Sequence, residues 1–230
     1  MTLSVRPRAR RGFLVNLIWP LLFPLLLGAS ETRTDENWLE DDSDWNASQV
    51  NEGRLQFIAP MPGQSVLSSD TQLWLTENSL RNGWVDMQQC YRNLDAVSRT
   101  EVVYAYRDMK NLQVTRVDKV ARSRVTARGV ELQDVEKGAR VCVRAEVKVL
   151  RRLTERTFAM QHGPYHRRFL DGYYPYHLSL TVHYPNREMR LERVEPEAQT
   201  GFELIENDDS LIIESWFEGE LTIVLEFSKN

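Results

Sequence analysis

The sequence predicts a mainly β protein: two small antiparallel β-sandwich domains of immunoglobulin-like character, following a cleaved signal peptide. Three observations carry this expectation. Short segments alternate apolar and polar residues with period two, turn dipeptides separate them, and no long amphipathic helix intervenes. With 42% hydrophobic and 27% charged residues, the chain of 230 residues is neither fibrous nor wholly disordered.

The N-terminus reads as an address. Arg6, Arg8, Arg10 and Arg11 form a positive region, followed by an apolar run from Phe13 to Leu27 and the small residues Gly28-Ala29-Ser30. A spanning helix needs about 20 apolar residues, so the run suits a cleavable signal peptide over residues 1–30 better than a retained anchor. No Cys follows Gly28-Ala29, and no later stretch approaches spanning length. The expected location is periplasmic or secreted, with no transmembrane span in the mature chain. Residues 31–54 then form an acidic segment whose composition favours disorder: Glu31 to Asn46 holds seven acids against Arg33. Trp38 and Trp45 inside it suggest docking on a basic surface, and Asn46-Ala47-Ser48 is a glycosylation sequon.

The first sandwich is expected over 55–153. Leu73-Trp74-Leu75 and Trp84 to Cys90 flank Asn82-Gly83, a typical two-residue hairpin turn. A rival reading takes Leu80, Trp84, Met87, Tyr91 and Leu94 as a helical stripe, although Gly83 falls inside it. The clearest strand is Arg140 to Leu150, with Val141, Val143, Ala145, Val147 and Val149 on one face and Cys142, Arg144, Glu146 and Lys148 on the other. In an exported chain the only two cysteines, Cys90 and Cys142, form a disulfide that braces the outside of the sheet.

A linker over 154–164 and a second, smaller sandwich over 165–230 complete the expected organisation, with one continuous sandwich as the alternative. Tyr176 to Tyr184 alternates, placing Leu178, Leu180 and Val182 opposite His177, Ser179, Thr181 and His183. Met189 to Val194, Leu211 to Phe217 and Leu221 to Phe227 continue the pattern between turns.

Charge is uneven along the chain. Residues 107–168 carry 16 bases and 7 acids, whereas 31–106 carry 5 and 13 and 169–230 carry 4 and 13. Arg116, Lys119, Arg122, Arg124 and Arg128 concentrate this basic block, which can hold an anionic partner or neutralise the chain's own acidic flanks. Nucleic acid is not the expected target, because the mature chain is acidic and has no recognition-helix or zinc-finger pattern.

All four histidines lie within 162–183: His162, His166, His177 and His183. Tyr165, Tyr173, Tyr174, Tyr176 and Asp171 accompany them. Three such ligands plus water can make a hydrolytic metal site. Yet His177 and His183 on one strand lie about 20 Å apart, and His162-Gly163-Pro164 is poor helix. The segment reads instead either as plain packing of Tyr rings with exposed His or as an aromatic hinge or ligand-contacting loop between the two domains, with Tyr173, Tyr174 and Tyr176 as the candidate contacts. Nucleophile-elbow, zinc-helix, phosphate-loop and dinucleotide motifs are absent.

The functional expectation is therefore a non-enzymatic binding or assembly protein without a cofactor. It engages another envelope or extracellular protein, or an anionic polymer, through sandwich surfaces and the basic block. The alternative is a secreted metal-dependent hydrolase centred on 162–183. On the redox side, mature protein should expose no titratable thiol until it is denatured and reduced. Reduction should cost about 4 kcal/mol, the chain-entropy value for so long a loop. Two thiols titrating in native, freshly secreted protein would contradict the staple.

Overall fold

A computed structural model of the chain describes residues 2–4, 51–61, 63–169 and 172–230. Apart from Thr2–Ser4, the expected signal peptide and the acidic segment with Trp38, Trp45 and the sequon lie outside these residues, save for 51–54. The described strands are β1 (Thr2–Ser4), β2 (Gln56–Phe57), β3 (Leu67–Trp74), β4 (Trp84–Leu94), β5 (Val97–Val103), β6 (Met109–Val125), β7 (Gly129–Lys148) and β8 (Leu150–Arg152). They continue as β9 (Thr157–Phe169), β10 (Gly172–Tyr174), β11 (Tyr176–His183), β12 (Met189–Glu195), β13 (Phe202–Glu206), β14 (Ser210–Glu218) and β15 (Leu221–Lys229). One helix is described, α1 (Glu77–Asn82).

The protein is mainly β, with two sheets around one core. The larger runs β13-β14-β11-β3-β4-β7, with β6 on the far side of β7 and β5 continuing the line of β4. The smaller runs β12-β15-β9 with β8, and β1 pairs with both β5 and β9. Alternation decides which side chains enter. In β7, Val141, Val143, Ala145 and Val147 are at most 2% exposed. In β11, Leu178, Leu180 and Val182 are fully buried, and β15 contributes Leu221, Ile223, Leu225 and Phe227 from the opposite sheet.

The chain departs from the expected organisation in two places. The region expected as a linker is, from Thr157, the strand β9, whose Phe158, Met160, His162 and Tyr165 are core residues. The expected division into two sandwiches is likewise not seen in the pairing. β3 from the first expected domain pairs along its whole length with β11 from the second, and the two run parallel. The described residues belong to one compact unit. The physical reason is that a small second domain with few strands buries little apolar surface by itself.

The second departure is at Asn82-Gly83. β3 and β4 are antiparallel neighbours as a hairpin requires, but helix α1 connects them. Gly83 is its C-cap, at φ 77° in the left-handed region, with its N–H donating to the Ser79 carbonyl. Asn-Gly suits a left-handed helix cap as well as a hairpin turn, and Thr76-Glu77-Asn78-Ser79 supplies the helix start. Thr76 N–H donates to Ser79 Oγ at 3.0 Å.

β7 is strongly coiled. Tyr104 N–H donates to the carbonyl of Arg128, just before β7, and Lys148 N–H at its end donates to the carbonyl of Asp108. Residues 104–108 span at most about 14 Å, so the ends of β7 approach within about 25 Å, where 20 residues of straight strand would span about 66 Å. The bend is local. Asp118 of β6 faces Arg140 while Val120 faces Val135, leaving Glu136 to Ala139 as surplus on β7. Gly138 takes φ 75° there.

Cys90 and Cys142 are bonded, directly opposite each other on β4 and β7. Their neighbours Val141 and Val143 face the core, so the bridge lies on the outer side of the sheet, as expected.

Gly129 tests the closure of β5 on β7. A Cβ there would stand 1.9 Å from the Val102 carbonyl oxygen, a backbone atom that no rotamer change moves away. Gly129→Ala should therefore destabilise by about 3 kcal/mol or more. A thermal melt showing a loss below about 1 kcal/mol would contradict this packing.

Candidate binding surface

The outer face of the larger sheet gathers the side chains that the core excludes. Alternation in β3 and β11 turns Ser68, Asp70, Gln72 and Trp74, and His177, Ser179, Thr181 and His183, to this face. One row crosses five strands in direct register: His183 on β11, Trp74 on β3, Asp86 on β4, Glu146 on β7 and Lys110 on β6. Trp74 and His183 stack at 5.5 Å with an 8° interplanar angle. His183 is hydrogen-bonded through Nε2 to Gln72 Oε1 at 3.0 Å. Lys110 Nζ lies 4.4 Å from the centre of the Trp84 ring and 3.0 Å from Glu146 Oε2. Hydrogen bonds from Lys110 and Asn111 hold the Glu146 carboxyl below its usual range.

The basic residues singled out from sequence stand on β6 and its turn into β7. Among the described residues β6 pairs only with β7, and Arg116, Lys119, Arg122, Arg124 and Arg128 are all exposed. Arg124 and Arg99 both pair with Glu131, the former at 3.4 Å. The Gln133 hydrogen bond and then Arg99 lower that carboxyl. Among the described residues Arg116, Lys119, Arg122 and Arg128 form no ion pair within 4 Å. Neutralisation by the described acidic flanks therefore does not occur at these four positions. Arg122 and Arg124 also line a shallow depression of about 590 Å³ with Ser123, Glu131 and Gln133. Arg116 faces Cys142, which Arg140 and Arg144 flank on β7, so the basic field continues across the disulfide.

The tyrosines divide. Tyr176 is 1% exposed and packs against Tyr165 and Phe217; it is a core residue and not the ligand contact expected from sequence. It begins the inward alternation of β11, which the run of adjacent tyrosines hides. Tyr173 and Tyr174 are half-buried. Tyr173 donates to Glu220 Oε1 at 2.6 Å beside the His166 ring, and Tyr174 packs edge-on against Phe169.

The histidines are held apart in separate surroundings. A bulge at Gly163 (φ 114°) in β9 brings His162 and Tyr165 to the same inward face. His162 is fully buried, with Tyr106 Oη 2.5 Å from Nε2 and Tyr165 Oη on Nδ1. A neutral imidazole offers one donor and one acceptor, so one tyrosine donates while the other accepts. Burial pushes its pKa down to about 3, and burial likewise takes His166 to about 4. His177 stacks on Trp216 at 4.3 Å and meets Glu214 Oε2 at 2.9 Å, while Ser179 Oγ donates to Glu214 Oε1 at 2.6 Å. Burial opposes ionisation of Glu214, yet these two hydrogen bonds outweigh it and lower the pKa. The carboxylate lies between serine and histidine, so the imidazole cannot take the serine proton as a general base must. Among the described residues no three His, Cys, Asp or Glu side chains converge as a metal site, and Asp171 lies outside them.

Trp74, Asp86 and Glu146 are joined on this face by strand register, which period-two alternation alone does not state. A signal for Trp74 was present, because Leu73 and Leu75 facing inward oblige the indole between them to face outward. The chain matches no protein-family model and no curated protein at a significant level. Among the described residues no helix is long and apolar enough to cross a membrane.

Buried neutral His162 and His166 give stability a pH dependence with a defined sign. Their folded pKa values lie below the unfolded value of about 6.5, so the unfolded state binds more protons between those limits and stability falls as pH drops through that window. Each group contributes at most about 1.4 kcal/mol per pH unit. Denaturant titrations from pH 7 to pH 5 should show this loss, and His162→Gln should flatten it by about one group's share. An unchanged slope would contradict a sealed, neutral His162.

Proposed function

We infer that this chain is a non-enzymatic binding protein acting outside the cytoplasm, whose basic outer surface holds an anionic polymer. The observation that carries this reading is the row Arg116, Lys119, Arg122 and Arg128. Among the described residues these are exposed cations on β6, a strand with one neighbour, and on its turn into β7, without carboxylate partners.

Two features favour a polymer of charges over a folded protein as the partner. β6 carries register shifts at Lys110/Gln113, Val114/Arg116 and Asp118/Val120. Bulges and Lys or Arg side chains are the usual defences of an edge against strand addition. Around the cations the large exposed apolar residues are Val117 and Val125, whereas a stable protein interface has an apolar, aromatic-rich centre. Side-chain charge at intervals, without an apolar patch, matches a ligand that offers regularly spaced anions. The disulfide supports an oxidising compartment, and so a location in the periplasm or beyond.

A heparin column provides the test. Wild-type protein should be retained at low salt and elute as salt rises. Arg116→Glu/Lys119→Glu/Arg122→Glu should pass through while keeping the wild-type melt within about 1.5 kcal/mol, since exposed substitutions usually cost about 0.5 kcal/mol each. Retention of the triple variant at the wild-type salt concentration would refute the assignment.

A further inference from the structure

At the opposite end of this face, next to α1, lies a recess of about 190 Å³ walled by Trp74, Trp84, Asn78 and Asn82, with Asp86 and Glu146 also lining it. The geometry points to a site for a single pyranose ring of a neutral saccharide, independent of the polyanion reading.

The walls are fixed before any ligand arrives. Trp74 is backed by His183, and Trp84 carries the Lys110 ammonium, which also neutralises Glu146. Helix α1 is pinned at its end, because the Gly83 carbonyl accepts from both Val149 and Leu150 N–H at 3.2 Å. A Cβ on Gly83 would stand 2.6 Å from the Leu150 carbonyl oxygen, so the approach requires glycine. Rigid walls reduce the ordering cost of binding.

The hydrogen-bonding capacity that remains selects the ligand class. Asn82 Oδ1 already accepts from Trp84 N–H at 2.9 Å, and Asn78 Oδ1 accepts from Arg81. Each amide therefore has its NH2 left to donate. Asp86 is exposed and has no hydrogen bond or ion pair through its side chain among the described residues, so it is left to accept. Donors and an acceptor beside indole rings suit hydroxyl groups, which both donate and accept, on a ring whose C–H faces are apolar. An anion would meet Asp86. A quaternary ammonium would use Asp86 and an indole but would leave the hydrogen-bonding capacity of both amides unused. The volume equals about six waters, enough for one sugar ring.

The test uses methyl glucoside, methyl galactoside, methyl mannoside and N-acetylglucosamine with the full chain, read by Trp fluorescence and calorimetry. Titrations are run at low salt and at about 1 M salt, where the Debye length is about 3 Å. At least one pyranoside should bind with a Kd of about 1 mM, unchanged by salt and by Arg116→Glu/Lys119→Glu/Arg122→Glu. Asp86→Ala, at an exposed position, should weaken it about tenfold or more, and Trp74→Ala should abolish it. Three results would each overturn the site: no response to any of the four sugars, a response to choline chloride in their place, or sugar affinity that survives Asp86→Ala. Heparin retention is read separately, so either assignment can fail alone.

Discussion

Five residues, 104–108, join β5 to β6, and those strands begin and end at opposite ends of β7. A connection that short closes only if β7 coils back on itself, and much of the remaining structure follows from that requirement. The coil needs a corner, which the Glu136 to Ala139 surplus and the positive φ of Gly138 supply. It also carries the connecting segment past the core, so that Tyr104 is 2% exposed and Tyr106 reaches both His162 and Met87 Sδ. A chain crossing there brings polar groups into an apolar interior, and these need partners.

The interior answers with a polar network in place of a purely aliphatic core. Tyr91 donates to Gln89 Oε1 and Gln89 donates to Thr71 Oγ1, each at 2.8 Å, with Gln89 and Thr71 fully buried. Nearby, His162 bonds two tyrosines. Burial raises the pKa of Tyr91, Tyr104, Tyr106, Tyr165 and Tyr176 and lowers that of His162, so every member stays neutral. Neutral partners are what a dry interior accepts, because an unpaired charge there would cost several kcal/mol. The same neutrality argues against a proton-transfer role: no member is both accessible and poised to titrate near pH 7.

Local periodicity in the sequence was sufficient to find the core-facing strands β7, β11 and β15. Val141 to Val147, Leu178 to Val182 and Leu221 to Phe227 point where alternation placed them, and Cys90 and Cys142, the chain's two cysteines, are bonded as their pairing predicts. Long-range order was not legible, because period two states which face a residue takes and says nothing about which strand lies alongside. The β3–β11 pairing joins segments more than a hundred positions apart, and no turn dipeptide records it. Gly163 illustrates a second limit. Its bulge shifts the phase of β9, so that His162 and Tyr165 share a face, and a segment without clean alternation reads as linker. At the site, the basic row was visible as composition. The recess was not, because Trp74, Asp86 and Glu146 come from three strands and meet only through register.

The outer face carries two different chemistries, and Lys110 stands between them. Toward the β6–β7 turn, cations exceed their partners and the surface favours anions over a broad, shallow area. Toward α1, Glu146 takes up the Lys110 charge, Asp86 remains over, and the surface turns to indoles, amides and carboxylate. A long-range field falls off within a Debye length of about 8 Å in physiological salt, whereas hydrogen bonds and ring contacts act only on touching. On the proposed reading the basic end captures and retains a chain at low specificity, while the recess discriminates among single rings that reach it. Arg116 faces Cys142, four residues along β7 from Glu146, a distance of about 13 Å at about 3.3 Å per residue. That separation exceeds the screening length, so each end can keep its own selectivity.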